Sequence, residues 1–69
     1  MTYVTFKDLI RGKLRALPKG LTWAELRDDL KLPYERPCPE WTRRLEHEIG
    51  LVRKQGSGRA YLWTLQSKN

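Results

Sequence analysis

The chain has 69 residues, 14 Lys plus Arg against 8 Asp plus Glu, and a formal charge of +6. A domain of this size buries only ~60% of the surface its unfolded chain exposes. That leaves room for one core and none for an enclosed substrate cavity, while the positive field favours polyanionic partners. One cysteine, Cys38, excludes an intramolecular disulfide, and together with the single histidine, His47, it is too few for a Cys/His zinc site.

In chain order, the first helix is expected over about 5–17. Thr5 is read as its cap, Asp8 as the capping-box acid, and Val4 and Leu9 as the hydrophobic staple. Phe6, Leu9, Ile10, Leu14 and Leu17 recur at helical spacing, and Pro18 and Gly20 end the run. Lys7, Arg11 and Arg15 form a second stripe at four-residue steps. It reads mainly as a solvated face, with phosphate contact as the lesser reading.

A second helix over about 23–31 starts at the capping box Thr22-x-x-Glu25, with Leu21 and Leu26 as the staple pair. Trp23, Leu26 and Leu30 share one face. Asp28 and Asp29 fall near the carboxyl end, where the helix dipole disfavours them, and they argue that this helix is not the one pressed into DNA. The short extended piece Gly20-Leu21 is a candidate third strand.

Lys31 to Cys38 is a connector stiffened by Pro33 and Pro37, and Pro39 suits the first position of a helix over about 39–49. Cys38 falls at or just before that cap, with no histidine base placed to make it a catalytic thiol. Trp41, Leu45 and Ile49 point inward; Glu40, Arg43 and His47 occupy the opposite face, with Arg44 and Glu46 on the flanks. Gly50 suits the C-cap. Residues 51–65 read as a hairpin: Tyr61, Trp63 and Leu65 alternate with Leu62 and Thr64, and Gly56-Ser57-Gly58 suits a tight tip. Ser67-Lys68-Asn69 is expected to fray. No acid follows Glu48, whereas Arg53, Lys54, Arg59 and Lys68 do, so the C-terminal third is the electropositive end.

The resulting class is α+β: three helices and a C-terminal hairpin, with a short third strand before the second helix. Leu21-Thr22-Trp23-Ala24-Glu25-Leu26, Thr42-Arg43-Arg44-Leu45, Gly50-Leu51-Val52-Arg53-Lys54 and Gly58-Arg59-Ala60-Tyr61-Leu62-Trp63-Thr64-Leu65 fall in an order that resembles the winged helix-turn-helix superfamily of small prokaryotic or viral transcriptional regulators. With the first helix the resemblance covers nearly the whole chain. One departure is the 31–38 connector, longer than the usual 3–4-residue turn.

The resemblance implies that the third helix enters the major groove of double-stranded DNA. Arg43 would read guanine O6 and N7, Arg44 a phosphate or neighbouring base, His47 a base or phosphate, and Thr42 a phosphate or thymine methyl. Arg53, Lys54, Ser57 and Arg59, with the Gly56 and Gly58 amides, would hold backbone or an adjacent minor groove. Thr22 and Trp23 would offer free amides to a phosphate. Blander readings compete: Arg44 is spaced to pair with Glu40 or Glu48, Arg43 with Glu40 or Glu46, and a lone surface histidine such as His47 is more often solvated than functional.

DNA-binding transcriptional regulation is thus the leading expectation. A protein-interaction module, favoured by Glu40, Glu46 and Glu48 on the third helix, and an RNA-binding module are the alternatives. An enzyme is the poorest candidate, since no catalytic set, metal cluster or phosphate loop stands out. No cofactor and no small-molecule substrate are expected. A homodimer through the first helix or the last strand is an expected second partner. No apolar run approaches the ~20 residues of a bilayer span, and no signal-peptide pattern opens the chain, so a cytoplasmic location is expected.

Overall fold

The computed structural model describes residues 1–55 and 60–66. The described residues form α1 (Tyr3–Ala16), β1 (Leu21–Thr22), α2 (Trp23–Leu30), α3 (Pro39–Glu48), β2 (Leu51–Gln55) and β3 (Tyr61–Leu65). This is a small α+β domain of three helices and one antiparallel sheet, ordered β1-β3-β2. The expected hairpin tip, with Ser57 and Arg59, and the tail after Gln66 lie outside the described residues.

The first helix starts earlier than its sequence signals suggest. Thr2, not Thr5, is the cap, and its hydroxyl accepts from the Thr5 amide. The earlier start brings Tyr3 onto the stripe of Phe6, Ile10 and Leu14, all buried. Val4 instead stands 60% exposed, so the Val4–Leu9 staple does not form. Burying a tyrosine ring outweighs pinning a valine, because aromatic rings carry more apolar area. Leu17 caps the carboxyl end and is partly exposed rather than core.

In α2 the capping box forms as its residues require. The Thr22 hydroxyl accepts from the Glu25 amide, and the Glu25 carboxylate accepts from the Thr22 amide at 2.9 Å. Lys31 ends the helix in the left-handed region, at φ 53°. The candidate third strand is real but shifted by one residue: Leu21 pairs with Trp63 and Thr22 with Leu62. Gly20 makes the approach feasible. A Cβ there would meet Thr64 Cγ2 at 2.5 Å and the Trp63 carbonyl oxygen at 2.6 Å, and its φ is +90°.

The 31–38 connector is anchored by more than its prolines. Leu32 is buried in the core, and the Tyr34 ring packs against Phe6 and Trp41. The Glu35 carbonyl accepts from Trp23 Nε1 at 3.0 Å. An aromatic cluster adjoins the buried Ile and Leu residues of the core: Phe6 touches Trp23, Tyr34 and Trp41, and Trp23 reaches Trp63. Trp63, on the central strand, is 2% exposed.

These contacts set α3 on the body. Leu45 and Thr42 are buried, Trp41 and Ile49 half-buried. Gly50, at φ +71°, turns the chain into β2, and the Gln66 amide closes the open end of the hairpin on the Gly50 carbonyl at 2.7 Å. Arg53 stands opposite Trp63 and Gln55 opposite Tyr61, so the sheet face bearing the core residues Leu51 and Trp63 continues past them into an exposed end. Among the described residues, no helix is long and apolar enough to cross a membrane.

Candidate nucleic-acid interface

The outward side of α3 carries Glu40, Arg43 and His47, all exposed. At ~100° per residue, the four residues from Arg43 to His47 turn ~400°, which leaves the two side chains ~40° apart and about one turn on. No carboxylate lies within ion-pairing distance of Arg43 among the described residues, so the expected pairs with Glu40 or Glu46 are not made. Its five donors face solvent.

Arg44 behaves differently. Its guanidinium carbon lies 3.8 Å from the centre of the Tyr3 ring, and its Nε donates to Glu48 Oε2 at 3.2 Å. Lys7 Nζ donates to the other Glu48 oxygen at 3.1 Å, and the Tyr3 hydroxyl donates to that oxygen at 3.2 Å. Glu48 is thus the hub that fastens α3 to α1. Hydrogen bonding from Lys7, then from Arg44 and Tyr3, holds its carboxyl below the usual carboxylate range against the opposing effect of desolvation. Burial, then the hydrogen bond to Glu48, pushes the Tyr3 hydroxyl above its ordinary value.

The other flank of α3 meets β2. Glu46 accepts from Arg53 Nη2 at 3.4 Å, and the Arg53 guanidinium lies 5.9 Å from the Trp63 ring and 5.8 Å from the Tyr61 ring. Arg53 thus lies over the sheet end, its charge answered by Glu46. Lys54 is exposed on the opposite face of β2, paired across the sheet with Leu62.

Two expected contact sites need correcting. Thr42 is 2% exposed, and its hydroxyl donates to the Cys38 carbonyl at 2.8 Å. Bonding back to its own helix satisfies the hydroxyl and lets the residue be buried, which removes it from the outer face. At the amino end of α2, the carboxylate of Glu25 already occupies the Thr22 amide, while the Trp23 indole Nε1 donates to the Glu35 carbonyl, a contact that does not involve the Trp23 amide. A phosphate approaching Thr22 and Trp23 meets that negative charge first. Ser57 and Arg59 lie outside the described residues.

The structure also brings together residues the sequence left apart. Arg11 and Arg15 of α1 line an open groove of about 800 Å³ with His47, Gly50 and Gln66, at the carboxyl end of α3. Their four-residue spacing was visible; their position beside α3 was not. A smaller hollow of about 320 Å³ has Phe6, Trp23, Tyr34 and Trp41 as walls, with Met1 and Cys38 at its edge, and contains no acid–base pair.

Comparison with protein-family models, with curated proteins and with solved structures finds no match to this chain, so the geometry of α3 and its flanks is what bears on function.

Proposed function

We propose that this chain is a winged-helix module that binds double-stranded DNA and acts as a small transcriptional regulator. In this reading α3 enters the major groove, Arg43 reads a base edge, and His47 contacts a base or phosphate one turn on. Lys54 and the segment beyond β2 carry positive charge to the backbone. The element order fits the winged-helix resemblance, including the short strand before α2.

The observation that carries the proposal is how α3 distributes its charges. Three acids on one helix weigh against a groove-binding role, yet Glu48 is answered by Lys7 and Arg44, and Glu46 by Arg53. Both are spent on the flanks. Of the acids on α3, Glu40 alone shares the outward face with Arg43 and His47. A protein-interaction surface built on these acids would instead leave them unpaired for a basic partner.

Titration of labelled duplex over a range of salt tests the proposal. Affinity should fall linearly in log–log form, by ~0.9 per phosphate contacted. Selection from a random oligonucleotide pool should yield a motif whose preference relaxes in Arg43→Ala. Absence of duplex binding at low salt would transfer the case to the interaction module, and preference for single-stranded or structured RNA to the RNA-binding reading. A solution mass measurement on the same sample distinguishes monomer from the expected homodimer.

A further inference from the structure

Tyr3, Lys7, Arg44 and Glu48 fasten α1 to one side of α3, while Glu46 and Arg53 fasten β2 to the other. Glu46 and Glu48 are two residues apart, hence ~160° apart around the helix. The outward face of α3 is therefore bordered by α1 along one edge and by the sheet along the other. Beyond Lys7, one and two turns on, α1 presents Arg11 and Arg15 to the groove they share with His47.

The charge state of that groove points to an anion. Its two acids, Glu46 and Glu48, are already paired with Arg53, Lys7 and Arg44. Arg11 reaches Asp8 only at 3.9 Å, with both side chains half or more exposed, a contact worth little in water. Arg15 has no carboxylate within ion-pairing distance among the described residues. Two arginines are thus available where the acids are not. Their separation along α1 is ~6 Å, about the axial rise of two base steps of one DNA strand at ~3.4 Å each.

We propose that Arg11 and Arg15 hold phosphates of the DNA strand that passes the carboxyl end of α3, so that the domain is fastened to the backbone there as well as at the hairpin. This rests on the duplex-binding reading and adds a second backbone contact, on α1, to the one expected of the hairpin. These arginines position the domain and read no base.

The test is the salt dependence of duplex binding by the full chain, by Arg11→Ala/Arg15→Ala, and by Lys13→Ala/Lys19→Ala. The last removes equal charge from outside the groove; Lys13 is turned toward Asp29 of α2. The arginine variant should lower the log–log slope by about two, at ~0.9 per lost phosphate, with the selected base motif intact. Arg11→Lys/Arg15→Lys should keep most of the slope, and the control should move it far less. An unchanged slope in the arginine variant, alongside clear binding by the unaltered chain, overturns this proposal and leaves the duplex reading standing. So does an equal drop in the control. Lost thermal stability with unchanged salt dependence would assign the arginines to the partial negative charge at the carboxyl end of α3, and also overturns it. Failure of the unaltered chain to bind any duplex ends both readings together.

Discussion

The α1-facing side of α3 and its solvent-facing side carry similar residues and use them differently. On the first, Arg44 lies on the Tyr3 ring and donates to Glu48, which also takes hydrogen bonds from Lys7 and Tyr3. On the second, Arg43 has no carboxylate partner among the described residues. The two arginines are sequence neighbours, and ~100° of helix rotation separates a fastening from a free set of donors. A charged side chain is available for recognition only where the fold has not already given it a partner, and adjacency in sequence says nothing about that.

Cutting α3 from the body should abolish the difference altogether. Leu45, fully buried, anchors both sides at once, and Leu45→Ala should cost ~2–5 kcal/mol by loss of burial and the cavity left behind. Thermal denaturation should register that loss, and duplex binding should weaken with it. Retained stability would mean that α3 is held by its flanks and not by its buried stripe.

Arg43→Ala and Arg44→Ala sharpen the comparison directly. The first should lose ~1–3 kcal/mol of discrimination between the selected duplex and a scrambled one, with an unchanged melting temperature. For the second, removal of the stack on Tyr3 should lower stability by ~0.5–1 kcal/mol and leave discrimination in place. Competition binding and melting curves on both variants check the assignment, and an exchange of the two phenotypes would reverse it.

The smallest effect expected is a pH dependence confined to the α1 side. Because hydrogen bonds depress the Glu48 carboxyl in the folded chain, its contribution is present above the ordinary carboxylate range and is lost as pH falls through the lowered value. The Tyr3 hydroxyl is raised, so its contribution holds below the ordinary tyrosine range and fades only as pH climbs through the raised value. Glu48→Gln should therefore bring the melting temperature close to that of the unaltered chain at acid pH and leave a gap at neutral pH. A gap that persists unchanged into acid would show that the Glu48 carboxylate charge is not what fastens the helices.

Much of the fold was legible because its signals are local. The Thr22–Glu25 box, the start of α3 at Pro39 and the period-two strand around Trp63 each depend on residues a few positions apart. The start of α1 is not fixed locally, because Thr2 and Thr5 are both competent caps. The choice between them was settled by where the Tyr3 ring could be buried, against Trp41 of another helix. Thr42 was misplaced for a related reason: it lies beside the apolar stripe, and only the packing of α3 decides whether a flanking residue is covered.

By itself the sequence determined the class of the fold, the helix carrying the outward arginine, and the positive charge of the chain. Hydrophobic period, capping chemistry and composition act over a turn or two and need no distant partner. Only the tertiary structure decided which cations are spent and which remain: Arg44 and Lys7 on Glu48, Arg53 on Glu46, with Arg43, Arg11 and Arg15 left without a close carboxylate partner. Pairing between charges depends on distances of a few ångströms across elements far apart in the chain, and those distances exist only once the core has fixed how α1, α3 and the sheet meet.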